Sequence, residues 1–192
     1  MKDRRQLWFL TSNRGKFREA AAVAAALGIE LQMLATKKIE IQSDSLRTIA
    51  SYAAQEAANR HRIVVVAEDA GLFIDELRGF PGPYSSDVFK RLGTKGILML
   101  MQKTSRRSAK FYSAVAFCAP RQKPKCFTGT VAGTISRRPR GSGGFGFDPI
   151  FIPAEGDRRT FAQMTVIEKN RMSHRAAAFG KLARWLSTLR VV

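Results

Sequence analysis

Residues 63–67 read Ile-Val-Val-Val-Ala and run directly into two adjacent carboxylates, Glu68 and Asp69. A β-branched apolar run of this kind reads as a buried strand. It would deliver both acids at its C-terminal end, where open α/β sheets bind ligands. Two carboxylates at the end of an apolar strand cost free energy unless something positive compensates them. A divalent cation is one compensator, because Mg²⁺ takes oxygen ligands and shares phosphate oxygens with its substrate, so that a few protein carboxylates suffice. Glu40 is the third candidate for such a site. The other reading of the same acids is that they face solvent or cap a turn.

The rest of the pattern is that of an α/β chain with some antiparallel pairing. Residues 6–11 form a strand followed by a polar loop and an alanine-rich helix, in which Phe17, Ala20, Ala21, Ala24 and Leu27 share a face, Ser12 or Asn13 caps the start and Gly28 follows the end. A second strand is expected at 30–35. A helix at 45–59 has Leu46, Ile49, Ala50, Ala53, Ala54 and Ala57 on one side and Ser43 or Asp44 at its cap. After the turn chemistry of Gly79, Pro81, Gly82 and Pro83, one short helix at 87–92 and one longer at 94–102 are expected. Strands at 109–119 and 125–136 make a hairpin, and a short strand at 147–153 follows the glycine-rich loop 141–146. Thr165 and Glu168 have capping-box spacing, and Ser173 caps a final helix with Ala176, Phe179, Leu182, Ala183, Leu186 and Leu189 facing the core.

Over 192 residues the chain is 45% hydrophobic and 25% charged, which excludes global disorder. It is long enough to bury its own core as one domain, residues 1–192, with two lobes. No apolar run is long enough to span a membrane, and the expected location is the cytoplasm. Cys118 and Cys126 read as reduced structural thiols without a role. The net charge is +18, and its distribution is uneven: between Asp87 and Asp148 there is no carboxylate but there are 13 Lys and Arg, whereas Glu40 to Glu76 holds seven acids against three arginines. One stretch suits a cation and the other an anion, and a metal-bound phosphate ester would use both.

Two further groups bear on chemistry. Thr11, Ser12, Asn13, Arg14, Gly15 and Lys16 place a helix N-terminus beside basic side chains, which suits phosphate oxygens but also describes an ordinary capped helix. The spacing is not that of a Walker A loop. Phe145, Gly146, Phe147 and Asp148, with Lys169, His174 and Arg175, combine backbone that a planar ligand can approach, rings that can stack on it and donors for a keto oxygen. The alternative is that both phenylalanines are core and that His174 is packed or solvated.

Taken in order, Thr11-Ser12-Asn13-x-x-Lys16, Glu40-Ile41-Gln42, Glu68-Asp69-Ala70-Gly71-Leu72, the Gly79 to Ser85 stretch, Gly144 to Phe151 and Glu168-Lys169 through Ser173-His174-Arg175 resemble the inosine triphosphate pyrophosphatase family over nearly the whole chain. The resemblance implies an elongated central mixed β-sheet flanked by helices, two lobes with an active-site cleft between them, and a homodimer. It further implies Mg²⁺-dependent cleavage of non-standard purine nucleoside triphosphates to a monophosphate and pyrophosphate. Carried over, Asp69 is the general base and a metal carboxylate, helped by Glu40 and Glu68. Thr11 to Lys16 cradle the phosphates. Ala70, Phe145 to Asp148, Lys169, His174 and Arg175 enclose and read the base, with Arg175 as a donor that meets a 6-keto group and rejects the 6-amino group of adenine.

Two departures from the family's commonest pattern stand out. Ala70 replaces a frequent serine, and the second helix has Ala53 where many members carry a lysine, so the phosphate grip is expected to lean on Lys16 and Arg14. A nucleic-acid-binding role, suggested by the charge and by runs such as Lys110-Phe111-Tyr112, is the secondary reading. No helix-turn-helix, zinc-finger or RNA-recognition pattern accompanies it.

Overall fold

A computed structural model describes residues 5–39 and 41–189. Seven strands, β1 (Arg5–Leu10), β2 (Ile29–Leu34), β3 (Val65–Ile74), β4 (Pro81–Gly82), β5 (Ser108–Cys118), β6 (Lys125–Ile135) and β7 (Phe151–Pro153), join in one sheet. Its order is β2-β1-β3-β5-β6-β7, with β4 paired to β3. β1 pairs in parallel with β2 and with β3, whereas β3–β4 and β6–β7 are antiparallel, so the sheet is mixed as expected. The helices are α1 (Arg14–Ala26), α2 (Leu46–His61), α3 (Ser85–Leu100), α4 (Val166–Asn170) and α5 (His174–Thr188).

Two compact units organise the chain. The first contains the described residues up to Asp69, Ser113–Gly129 and those from Arg175 onward; the second contains Ala70–Tyr112 and Thr130–His174. In the first unit Leu7 and Phe9 of β1, Ala20 and Ala24 of α1 and Phe179, Leu182 and Leu186 of α5 share one apolar cluster. Phe9 and Phe179 meet edge to face with centroids 5.5 Å apart, a contact that adds about 0.5–1.5 kcal/mol beyond area burial. Every residue expected on the apolar face of α2 is buried, and its alanines let the helix approach its neighbours closely. Its cap is Ser45, whose hydroxyl accepts from the Thr48 N–H, rather than Ser43 or Asp44. Leu27, by contrast, is exposed, because α1 stops at Ala26 and the chain turns through Gly28 at φ +74°.

The second unit gathers Leu72, Ile74, Ile97, Phe111, Phe147, Ile150, Phe151 and Phe161 around its own core. α3 merges the two helices expected there and breaks between them at Gly93, whose φ of 59° and ψ of −166° are not helical. The strand expected at 147–153 is only half formed: Asp148–Ile150 is a 3₁₀ turn, and β7 begins at Phe151.

One correction bears on the site. β3 does not end at Glu68 and Asp69 but continues through them to Ile74, because the chain finds a second partner in β4, with Leu72 opposite Gly82 and Phe73 opposite Pro81. The two acids therefore lie within a strand, between its parallel pairing with β1 at residues 65–67 and its antiparallel pairing with β4. The second pairing depends on Gly71, where a Cβ would stand 2.1 Å from the Gly82 carbonyl oxygen. The Ser85 hydroxyl fastens this corner by donating to that carbonyl at 2.6 Å and accepting from the Leu72 N–H at 2.8 Å.

Candidate active site

The first unit holds a cluster of charges around Glu68. The Glu68 side chain is fully buried, accepting from the Ser113 hydroxyl at 2.7 Å and from Nε of Arg175 at 3.0 Å, with Nζ of Lys16 at 3.7 Å. Arg175 is itself buried, at the first turn of α5, and its Nη1 donates to Glu19 of α1. Asp69 is less enclosed, with 13% of its side chain exposed, and Nζ of Lys38 lies 3.6 Å from its Oδ1. Local structure places Lys16: the Asn13 side chain caps α1 by accepting from the Lys16 N–H at 2.9 Å, and the Thr11 hydroxyl accepts from the Asn13 N–H at 3.1 Å. Thr11 is buried, Ser12, Asn13 and Arg14 are exposed and Gly15 is half-buried.

Proximity sets the charges. Burial pushes the Glu68 carboxyl up, but the Arg175 guanidinium, Lys16 and the Ser113 hydroxyl outweigh it and hold the group below the usual carboxylate value. Burial lowers the Lys16 ammonium; Glu68 and Asp69 oppose this, while Lys38 and Arg175 reinforce it. For Arg175 burial also acts downward, and Glu68 and Glu19 more than reverse it.

The second unit holds a different group. Nζ of Lys169, in α4, donates to Oδ2 of Asp148 at 2.6 Å, and both side chains are buried. The same carboxylate oxygen accepts from the Phe145 N–H at 2.8 Å, and the ammonium stands 5.0 Å from the Phe145 ring centroid and 5.1 Å from that of Phe161. The loop can close on Asp148 only because residue 144 is glycine: at φ +69° a Cβ there would meet Oδ2 of Asp148 at 2.2 Å. Phe145 and Gly146 remain partly exposed. His174 is buried and stacks on Phe111 at 4.8 Å. α4 is fixed by Glu168, which closes the expected capping box with Thr165 and accepts from Arg159 at 2.8 Å. Arg159 and the Thr165 N–H and hydroxyl hold the Glu168 carboxyl down at about 2.

Against the expectations, the structure brings together Lys16, Glu68, Asp69 and Arg175 in one unit and Phe145, Asp148 and Lys169 in the other. Glu40 lies outside the described residues. Phe147 is a correction: with 2% exposure and its ring edge-on to Phe89, it is core beneath the glycine-rich loop and offers no face to a ligand. Arg175, expected at a base, stands as counter-ion to two buried carboxylates. Sequence reasoning missed Glu19, Ser113 and Lys38. Only a polar residue on the alanine-rich face of α1 hinted at Glu19; nothing local marked the other two.

Among the described residues no group of three or more His, Cys, Asp or Glu is gathered as for a metal cage. Mg²⁺ does not require one, since it keeps waters and binds through one or two carboxylates plus phosphate oxygens. Asp69 fits that part as a carboxylate with some exposure. The oxygens of Glu68 are already engaged by Ser113 and Arg175, so its chemistry here is that of an anchor for cations.

The chain matches the model of the Ham1 family over residues 7–185. It belongs to the Ham1 family. A protein of Methanopyrus kandleri named dITP/XTP pyrophosphatase is 47% identical over 177 residues, which is 92% of this chain and 94% of the relative. One of the same name from Saccharolobus solfataricus is 48% identical, covering 93% of this chain and 92% of its own. A solved Ham1 protein from Coxiella burnetii superposes with a TM-score of 0.83 at 27% identity, over 96% of this chain and 99% of the other. The family resemblance read from the sequence is thereby borne out, as is the mixed α/β fold. No helix among the described residues is long and apolar enough to cross a membrane.

Proposed function

We propose that this protein hydrolyses non-standard purine nucleoside triphosphates, dITP, ITP and XTP, to the nucleoside monophosphate and pyrophosphate, with Mg²⁺ as cofactor. The observation that carries the reading is the joint one of near-complete coverage by relatives bearing the dITP/XTP pyrophosphatase name and a partly exposed Asp69 set between lysines. Magnesium, when bound, neutralises phosphate oxygens and favours attack by water at the α-phosphorus. On this reading Asp69 provides the carboxylate for the metal and receives the proton of the attacking water. Lys16 and the start of α1, from Thr11 to Gly15, hold phosphate oxygens. Glu68 keeps Lys16 and Arg175 in place, and Glu40 belongs to the proposal as a further metal carboxylate.

The base is assigned on this reading to Phe145, Gly146, Asp148, Lys169, His174 and Arg175, and Ala70 belongs to the same proposal. The half-exposed Phe145 ring and the bare Gly146 backbone suit a flat heterocycle. On this reading Lys169 is an obligate donor, which satisfies a 6-keto group and leaves a 6-amino group unpaired, so adenine is refused. A cytoplasmic homodimer of one two-lobed domain completes the proposal.

The test is a panel of dITP, ITP, XTP, GTP and ATP with magnesium, read as pyrophosphate released. The expected result is preference for the first three and negligible turnover of ATP. Equal turnover of ATP, or orthophosphate as the product, would overturn it.

A further inference from the structure

Lys38 lies outside every site expectation drawn from the sequence, yet its ammonium reaches the Asp69 carboxylate and the backbone of Glu68. Nζ is 3.4 Å from the Glu68 carbonyl oxygen, to which it donates, and 3.6 Å from Oδ1 of Asp69. The latter separation is that of an ion pair, longer than a direct N–H···O bond. The side chain is 15% exposed, so it is neither fully sealed in nor loose in solvent. The residue before it is held as well: the Lys37 carbonyl accepts from Nη2 of Arg60 at 2.9 Å, and Arg60 pairs with Glu56 one turn earlier on α2.

Electrostatics explains what a lysine in this position is for. Lys38 is close enough to Lys16 to help depress its ammonium, so two like charges converge beside Glu68 and Asp69. The described members of the cluster, Lys16, Lys38 and Arg175 against Glu19, Glu68 and Asp69, already balance at three of each sign. Adding the two charges of a magnesium ion makes this set net positive, and a ligand with several negative charges restores the balance. Paired lysines at the edge of such a site match the oxygens of a polyphosphate.

We propose that Lys38 is a phosphate-binding residue of this enzyme, sharing the nucleotide's phosphate charge with Lys16 from the opposite end of the Glu68–Asp69 pair in sequence. The assignment rests on the pyrophosphatase reading above and adds to it a cation on the segment between β2 and α2. Lys38 turns from Asp69 toward the phosphate as nucleotide arrives, so it contributes chiefly to triphosphate affinity and leaves the choice of base to other residues.

The experiment titrates the unreactive α,β-methylene analogue of inosine triphosphate, with magnesium, into the wild-type protein and into Lys38→Met, Lys38→Ala and Lys38→Arg. Steady-state kinetics on inosine triphosphate and ATP run alongside. Lys38→Met keeps the aliphatic stem, so it guards against loss of fold, which thermal melting checks. Met and Ala should weaken analogue binding by about tenfold or more and raise KM in step, as loss of one charge-assisted bond does. Arg should restore most of the affinity, and the preference for inosine over adenine should not move. Folded Met and Ala variants that bind the analogue like wild type would overturn the assignment while leaving the pyrophosphatase reading intact. A parallel collapse of base preference would also overturn it, because that marks general damage. Wild-type protein that neither binds the analogue nor releases pyrophosphate would sink both readings together.

Discussion

The two charged groups of this protein are built on opposite principles. In the first unit Glu68 is surrounded by Lys16, Arg175 and Ser113, so each partner is partly redundant. In the second unit Lys169 and Asp148 meet at 2.6 Å among the rings of Phe145 and Phe161, where aromatic faces replace additional counter-ions. The first arrangement tolerates the arrival of more charge, as a metal-bound phosphate requires. The second is a fixed donor and acceptor in apolar surroundings, suited to reading a flat neutral ring.

Substitutions that attack each group separately sharpen this contrast. Asp69→Asn should have the largest effect, lowering pyrophosphate release by about a thousandfold, in the range of lost acid-base catalysis, with the melting temperature nearly unchanged. Full activity in that variant would remove Asp69 from the mechanism. Arg175→Ala removes a buried counter-ion from both Glu68 and Glu19, and although Lys16 and Ser113 still hold Glu68, urea unfolding should show a loss within about 3–5 kcal/mol. Arg175→Lys keeps the charge but not the fork and is therefore the variant in which base preference can be followed.

Lys169→Met strands one carboxylate and should lose about 3 kcal/mol. Here the two regions part company. Adding Asp148→Leu to Lys169→Met should return most of the stability, since an apolar pair can replace a buried ion pair, while base selectivity stays lost. The same manoeuvre with Arg175 and Glu68 should not recover, because Glu19 would lose its buried counter-ion and Lys16 its anchor. Recovery there would refute the contrast.

The smallest effect is one of pH. Glu168 has a folded value of about 2 against an ordinary 4.5, so its contribution to stability is complete above pH 4.5 and is lost as pH falls from there toward 2. Wild type and Glu168→Gln should accordingly differ in melting temperature at pH 6 and converge near pH 2.

What the sequence made legible was what neighbouring residues decide. The alanine face of α2, the Thr165–Glu168 box and the break at Gly93 each follow from local spacing or local chemistry, and each is present. Lys16, Asp69 and Lys169 were nameable because their types and surroundings were unusual. Glu19 was not, since its burial depends on Arg175, 156 residues further on. Lys38 has its partners 30 residues away, in a strand whose continuation past Asp69 depends in turn on β4. Phe147 looked like a ligand platform because a glycine loop precedes it, whereas its ring fills a space that Phe89 of α3 defines.

The position of Glu68 and Asp69 inside β3 has an outcome for how this catalyst can be altered. Successive side chains of an extended chain project to alternate sides. Neighbours in sequence thus serve different surroundings, one sealed inward and one toward the medium. Inserting a single amino acid upstream of the pair would turn each carboxylate to the other side of the sheet, even though every functional group was still encoded.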